Sequence, residues 1–139
     1  MRLCLLVTAL LLGTIAMVSP SDASQLDRYR WKNRILVVTG PSDDAAAQRQ
    51  RQIYDAAVGG MSERSIILAE AIGDGERSRQ IRSELGADKH RFRVFLIGKD
   101  GHTAFTSDKP ISADDLFKRV DAMPMRQDEM RRAKSSGLR

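Results

Sequence analysis

Apolar positions along the chain follow two spacings, continuous runs that predict strands and residues three or four apart that predict helices. The predicted elements, in order, are a strand at 35–39, a helix from Ser42 or Asp43 to Val58, a strand at 66–72, a short helix through Ile81 and Leu85, a strand at 92–97, a more polar strand at 102–106 and a helix from Ser112 to Met123. The order is therefore β-α-β-α-β-β-α.

Local signals set the expected ends of these elements. Gly59-Gly60 is expected to end the first helix and Gly86 the second. Gly98-Lys99-Asp100-Gly101 predicts a tight hairpin. Ser112 with Asp115 resembles a capping box. Pro124 is expected to interrupt the helix that begins at Ser112. A further charged helical turn or two is expected from Met125 to Lys134, followed by a disordered tail at 135–139.

Right-handed crossovers between parallel strands leave few ways to assemble such an order, and the thioredoxin-like α/β fold, a three-layer sandwich, is the one expected over residues 24–134. The strand at 66–72 is apolar on both faces apart from Glu70, which predicts an inner strand covered by helices. The strand at 102–106 is more polar, which predicts a sheet edge.

The first 23 residues have the layout of a cleavable secretory signal peptide. Arg2 supplies a positive start, Leu3 to Val18 carries no charge, and Ser21 and Ala23 suit a cleavage site after Ala23. A membrane anchor is disfavoured because a spanning helix needs about 20 apolar residues. The sequence therefore predicts a periplasmic or secreted domain with no stable membrane insertion after cleavage.

Cysteine usage excludes thiol–disulfide chemistry in the exported domain. The only cysteine, Cys4, lies within the predicted signal. In a redox thioredoxin a C-x-x-C motif follows the first strand, at a helix start that favours the thiolate. Here that stretch is Gly40-Pro41-Ser42-Asp43, and His90-Arg91-Phe92 replaces the proline that completes such a site. The protein is therefore not predicted to be a thiol–disulfide oxidoreductase, and Ser42 is interpreted as a helix cap.

Composition gives no sign of a metal, a cofactor or a nucleic acid. His90 and His102 are the only histidines, whereas zinc sites usually draw on several His or Cys ligands. A net charge of +5 spread among 18 acidic residues is a modest field, far from that of a dedicated nucleic-acid binder. No metal, cofactor or nucleic-acid partner is therefore predicted.

Three stretches together resemble a known family. They are Arg34-Ile35-Leu36-Val37-Val38-Thr39-Gly40-Pro41, Phe92-Arg93-Val94-Phe95-Leu96-Ile97-Gly98-Lys99-Asp100-Gly101 and Asp121-Ala122-Met123-Pro124-Met125-Arg126-Gln127-Asp128-Glu129-Met130. They are similar to the bacterial exported family known as domain of unknown function 4174, whose animal relatives include modules of matrix proteins such as equarin and the sushi-repeat-containing proteins. The resemblance implies a thioredoxin-like fold without redox cysteines and brings no catalytic residues. Relatives tend to continue the hairpin with a glycine and basic residues, whereas the corresponding stretch here, His102-Thr103-Ala104-Phe105-Thr106, is uncharged or weakly basic.

Three functions are compatible with these sequence features. The first is a non-catalytic binding module outside the cytoplasm that recognises a protein, a glycan or an anionic envelope component. The others are an accessory of an extracytoplasmic redox or stress pathway and a hydrolase that uses the Lys99, Asp100 and Arg126 group. The two most specific family strings are LIGKDG at residues 96–101 and MPMRxxEM at residues 123–130. A pocket that unites these two strings would favour the enzyme, and a flat charged surface would favour binding.

The candidate functional surface lies where those two strings meet, with no residue predicted to be catalytic. Its members are Lys99, Asp100, Asp121, Arg126 and Glu129. Arg126 and Glu129 are three apart, so they are expected to form an exposed local pair that contributes little to stability. We further expect Arg126 to reach Asp100 or Asp121 and so tie the terminal segment to the hairpin turn. The alternative is that both strings only close the sheet and cap the last helix.

Overall fold

A computed structural model describes residues 24–137, so the predicted signal peptide lies outside the described residues. A 3-10 turn at Asp27–Tyr29 precedes the first strand. The strands are β1 (Arg34–Gly40), β2 (Ile66–Ile72), β3 (Arg93–Ile97) and β4 (Thr103–Ser107). The helices are α1 (Ala45–Ala56), α2 (Val58–Glu63), α3 (Glu76–Leu85), α4 (Ala113–Asp121) and α5 (Pro124–Gly137). None of the helices in this range is long and apolar enough to cross a membrane.

The four strands form one mixed sheet in the order β2-β1-β3-β4. β1 is parallel to β2 and antiparallel to β3, which in turn pairs antiparallel with β4. The position of β4 confirms the predicted edge strand. The prediction that 66–72 is an inner strand is wrong, because β2 forms the opposite edge. Its apolar pattern reflects the helices that cover both faces of the sheet. A strand at the edge can be covered on both faces just as a central strand can, so the pattern does not distinguish the two positions.

The core divides into two clusters, one on each face of the sheet. Side chains alternate between faces along a strand, so Leu36 and Val38 of β1 pack with α4 residues on one face, while Ile35 and Val37 join Ile81 of α3 on the other. All four are almost fully buried. The same alternation assigns Arg34 to the face of Leu36.

The first helix begins and ends at different residues from those predicted. Its N-cap is Asp44, whose Oδ1 accepts hydrogen bonds from the amides of Ala46 (2.8 Å) and Ala47 (3.0 Å), and not Ser42 or Asp43. The chain turns briefly at residue 57 and then continues as α2 through Gly59-Gly60.

Close packing explains why a glycine lies within α2. A Cβ built on Gly60 would lie 2.6 Å from two ring carbons of Phe117. Gly60 therefore allows α4 to approach, and does not stop the helix.

Several other local signals are confirmed. Gly86 caps α3 in the left-handed conformation (φ 62°), and Ser112 Oγ accepts from the amide of Asp115 at 3.2 Å. The hairpin at 98–101 closes with hydrogen bonds from Gly98 N to His102 O and from Gly101 N to Gly98 O. Pro124 separates α4 from α5. However, α5 runs to Gly137, so residues 135–137 of the predicted disordered tail are helical.

Candidate functional site

A cleft of about 350 Å³ lies between the β3–β4 hairpin and the junction of α4 with α5. It is lined by Arg34, Gly98, Lys99, Asp100, His102, Ala104, Met123, Pro124 and Met125. Hairpin residues from one family string and junction residues from the other therefore face each other across it. The two strings meet at a pocket, which is the arrangement expected of the enzyme alternative.

The cleft lies at the end of the sheet opposite to the position of a thioredoxin redox site. Arg34, which lines the cleft, begins the seven-residue strand β1, and Gly40 ends it six positions later. At about 3.3 Å per residue, the two ends are roughly 20 Å apart. At the far end, Pro41, Ser42 and His90 line a separate shallow depression of about 180 Å³. The stretch that replaces C-x-x-C is thus remote from the meeting point of the strings.

The cleft adjoins a group of ion-paired side chains, here called the charge cluster, two of which (Arg34 and Lys99) also line the cleft. It consists of Arg34, Glu63, Arg64, Lys99, Asp121, Arg126 and Glu129. Four cations and three carboxylates give it a formal charge of one positive. Its cations are the buried members, since the exposed fraction of the side chain is 1% for Arg34 and 12% for Lys99.

Glu129 is the hub of the half of the cluster nearest the cleft. Its Oε1 accepts from Lys99 Nζ at 2.7 Å and from Arg34 Nη2 at 3.2 Å. Its Oε2 accepts from Arg34 Nη1 at 3.3 Å and lies 3.6 Å from Arg126 Nη1. One carboxylate on α5 therefore compensates cations from β1, from the hairpin and from its own helix.

Asp121, at the end of α4, is the hub of the other half. It accepts from Arg64 Nη2 at 2.8 Å and from Arg64 Nε at 2.9 Å, which is a two-pronged ion pair. Arg126 Nε donates to the same carboxylate at 3.2 Å, and Arg126 Nη2 reaches Glu63 Oε1 at 3.1 Å. Guanidinium groups thus fasten α5 and α4 to the end of α2.

These contacts decide between the two partners expected for Arg126. The pairing with Asp121 is confirmed, whereas Asp100 accepts from the backbone amide of His102 at 3.0 Å and shapes the hairpin turn. The terminal segment is tied to the hairpin, but through Lys99 and Glu129. The expectation of an exposed Arg126–Glu129 pair is wrong, because Arg126 is only 7% exposed.

Both hub carboxylates are held in the ionised form. Partial burial by itself would raise the pKa of Glu129, but the hydrogen bonds from Lys99 and Arg34 outweigh it, and the pKa lies below the ordinary value. The hydrogen bond from Arg64 lowers the pKa of Asp121; burial opposes this, and Arg126 adds to it. Neither group is suited to give up a proton near neutral pH.

Sequence reasoning found part of this site and missed three members. Lys99 and Asp100 line the cleft, while Asp121, Arg126 and Glu129 belong only to the charge cluster. Arg34, Arg64 and Glu63 were not among the predicted residues. For Arg34 a signal was available, since an arginine two positions before Leu36 in a fully buried strand falls on the core face and needs a partner.

Arg34 also has unsatisfied hydrogen-bonding capacity. Its Nη atoms bind Glu129 and the carbonyl of Arg64, but its buried Nε has no hydrogen-bond partner among residues 24–137. A buried donor without a partner costs about 1–3 kcal/mol. Across the same residues, no three His, Cys, Asp or Glu side chains are grouped so that they could hold a metal ion.

The architecture defines the protein as a thioredoxin-like α/β domain. It is similar to a reduced 2-Cys peroxiredoxin from Plasmodium vivax, with a TM-score of 0.56 and 14% identity over 74% of this chain and 84% of the peroxiredoxin. That likeness concerns the fold alone.

The chain belongs to the family described as domain of unknown function (DUF4174), whose model matches residues 25–129. It is also 26% identical to coiled-coil domain-containing protein 80 from Danio rerio over 143 aligned positions. The match covers 82% of this chain but only 16% of that protein, so the chain corresponds to one segment of a much longer relative.

Proposed function

We propose that this chain is an exported, non-catalytic binding module, and that its binding site is the cleft between the hairpin and the α4–α5 junction. The observation that carries the proposal is the composition of the cleft. Most of its surface is apolar, from Ala104, Met123, Pro124 and Met125, and the charged side chains of Arg34, Lys99 and Asp100 also line it. A concave apolar surface with a few polar groups that converge on it is the usual form of a ligand site.

The contacts of the candidate acid–base residues favour binding over hydrolysis. Lys99 is engaged by Glu129, and Asp100 is used by the turn at His102. Arg126 does not line the cleft. A general acid or base has a pKa near the working pH, whereas the pKa values of Asp121 and Glu129 lie below their ordinary values. These charged groups are therefore held in structural contacts beside the pocket, which supports a binding role over acid–base catalysis.

Site-specific cross-linking tests this proposal. Cys4 is the only cysteine, so residues 24–139 contain none, and Met125→Cys places a single thiol at the mouth of the cleft. This variant, labelled with benzophenone maleimide and irradiated in the extracytoplasmic fraction of the producing cells, is expected to give discrete adducts. Adding Lys99→Gln should abolish them.

Val58→Cys is the matched control for the cross-linking. Val58 lies on α2, is 56% exposed and does not line the cleft, while Met125 is 39% exposed. Identical adducts at the two positions, or none at Met125, would contradict a binding role for the cleft.

Export is tested separately at the amino terminus. The chain produced with its own leader is expected to begin at Ser24 and to be recovered from the periplasm or the medium, because Ser21 and Ala23 suit signal peptidase. Amino-terminal sequencing gives the answer directly. Recovery of Met1 on a membrane-bound protein would refute it.

A further inference from the structure

Trp31 has a backbone conformation and a side-chain environment that are both unfavourable for the fold. Its φ of 65° lies in the left-handed region, which bulky residues rarely adopt. Its side chain is 65% exposed, the highest value among the three exposed large apolar residues in the part of the chain that the structure describes. Residues held in strained backbone conformations concentrate at binding and catalytic sites. Neither feature stabilises the domain, which indicates a role for the indole outside the fold.

The backbone around Trp31 is fixed by hydrogen bonds to neighbouring segments. The amide of Trp31 donates to the carbonyl of Lys99 in the hairpin at 2.6 Å, and the amide of Lys32 donates to the carbonyl of Tyr29 at 3.0 Å. The side chain of Tyr29 packs against the core. The indole is therefore presented at the surface by residues 28–32, here called the Trp31 segment, which are anchored to both the core and the hairpin.

Exposed cations lie on both sides of the indole. Arg28, Arg30 and Lys32 are all exposed, and Arg28 and Lys32 form no ion pair within residues 24–137. Two acids are close by, since Asp27 pairs with Arg30 at 3.1 Å and Asp100 belongs to the hairpin turn. These five side chains carry one positive charge in excess. The surface therefore attracts anions weakly, and the indole supplies the larger part of any contact.

The shape of this surface determines the kind of partner that it fits. Trp31 lines neither the cleft nor the neighbouring pocket that Arg30 and Asn33 line, so it lacks the concave surroundings of a small-molecule site. A standard protein interface buries about 800 Å² on each side and uses several packed anchors, whereas this segment exposes one large apolar side chain. A bilayer surface accepts a single amphipathic ring at the headgroup level, and its anionic lipids attract adjacent cations.

We propose that the Trp31 segment binds reversibly to the surface of a bilayer that contains anionic phospholipid. The indole lies at the level of the headgroups, and Arg28 and Lys32 face the lipid phosphates. Because Trp31 does not line the cleft, this contact goes beyond the proposed function and leaves the cleft free for its ligand.

Intrinsic fluorescence tests the proposal without a label, since Trp31 is the only tryptophan of the chain. Residues 24–139 are titrated with vesicles of about one-third phosphatidylglycerol in phosphatidylcholine, and with vesicles of phosphatidylcholine alone. With the anionic vesicles we expect emission at shorter wavelength and quenching by lipids brominated close to the headgroup. Binding should be about fivefold tighter than to phosphatidylcholine, the effect of one net charge. Salt at about 1 M should remove this preference.

Three variants locate the contact, with binding measured by co-sedimentation with the vesicles. Trp31→Gly removes the indole and suits the left-handed φ, so Tm should stay within a few degrees while binding weakens roughly tenfold or more. Lys32→Gln should weaken binding to the anionic vesicles about fivefold. Arg77→Gln is the matched control and should leave binding unchanged. Arg77 is exposed at the start of α3, which follows β2 and so lies at the end of the sheet opposite to Trp31.

The absence of a spectral shift with both kinds of vesicle would overturn the proposal, as would equal binding to the two kinds. Equal weakening by Lys32→Gln and Arg77→Gln would also overturn it, because only the net charge of the chain would then matter. A fall in Tm of about 10 °C or more in Trp31→Gly would show that the indole serves the fold instead. None of these outcomes affects the cross-linking at Met125, so the two proposals fail separately.

Discussion

Replacing Glu129 with glutamine should lower the free energy of unfolding by about 3–4 kcal/mol and Tm by roughly 10 °C or more. The substitution keeps the shape of the side chain and removes its charge. Arg34 and Lys99, which are 1% and 12% exposed, would then lack their carboxylate partner. Removing one partner of a buried ion pair is costly because the remaining charge stays desolvated. Thermal and urea unfolding of residues 24–139 measure the effect.

The neighbouring Asp128 provides a matched control. Its side chain is 49% exposed and pairs with Arg131 at the surface, so Asp128→Asn should cost no more than about 1 kcal/mol. Equal Tm values for Glu129→Gln and Asp128→Asn would contradict a structural role for the cluster.

The stability of the unsubstituted protein should depend on pH in a defined direction. The pKa values of Glu129 and Asp121 are lower in the folded state, so their contribution is fully present above the ordinary carboxyl pKa. It is lost as pH falls through the folded values. Tm should therefore fall below about pH 4.5, and it should fall less steeply in Glu129→Gln, which has one group fewer to protonate.

The second large effect is expected at Arg126. Replacement by alanine should cost about 2–3 kcal/mol, or roughly 10 °C in Tm, since the guanidinium is 7% exposed and bridges Glu63, Asp121 and Glu129. The cost is below that of Glu129→Gln, because Asp121 keeps Arg64 and Glu129 keeps its other cations. If Arg126 formed only an exposed pair, the Tm of Arg126→Ala would lie within a few degrees of that of the unsubstituted protein.

Arg131→Ala is the control for this substitution. Arg131 lies on the same helix with 71% of its side chain exposed, and its loss should cost no more than about 1 kcal/mol. A Tm within a few degrees of the original for Arg126→Ala would restore the surface interpretation of this residue.

Local patterns were sufficient to predict most of the fold. Continuous apolar runs predicted the first three strands, Gly86 and Ser112 marked real helix ends, and Gly98-Lys99-Asp100-Gly101 predicted the hairpin that the structure contains. The wrong predictions concern residues whose role depends on a contact with a residue far away in the sequence. Gly60 resembled a helix stop, but its lack of a side chain admits Phe117, which is far along the chain.

The candidate site was predicted in the same partial way. The two strings indicated the right region. Arg126 and Asp121 are separated by five positions, so their pairing could be predicted from the sequence. The burial of Arg126 could not be predicted, since it depends on the start of α5 lying against the end of α2, where Arg126 meets Glu63. Likewise, Arg34 donates a hydrogen bond to Glu129, which is 95 positions away in the sequence, and no local residue spacing predicts such a contact.

The sequence by itself determined the α/β class, the lack of cysteine after residue 23 and the family strings, because each follows from residue identity or short-range periodicity. Only the tertiary structure decided that β2 is an edge strand, that Arg34 and Arg126 are buried, and that a cleft lies between the strings at the end of the sheet opposite to Gly40. Those features depend on strand order and on contacts between distant segments. The physical reason is that burial and charge compensation are properties of the packed chain, which is also where the proposed binding site arises.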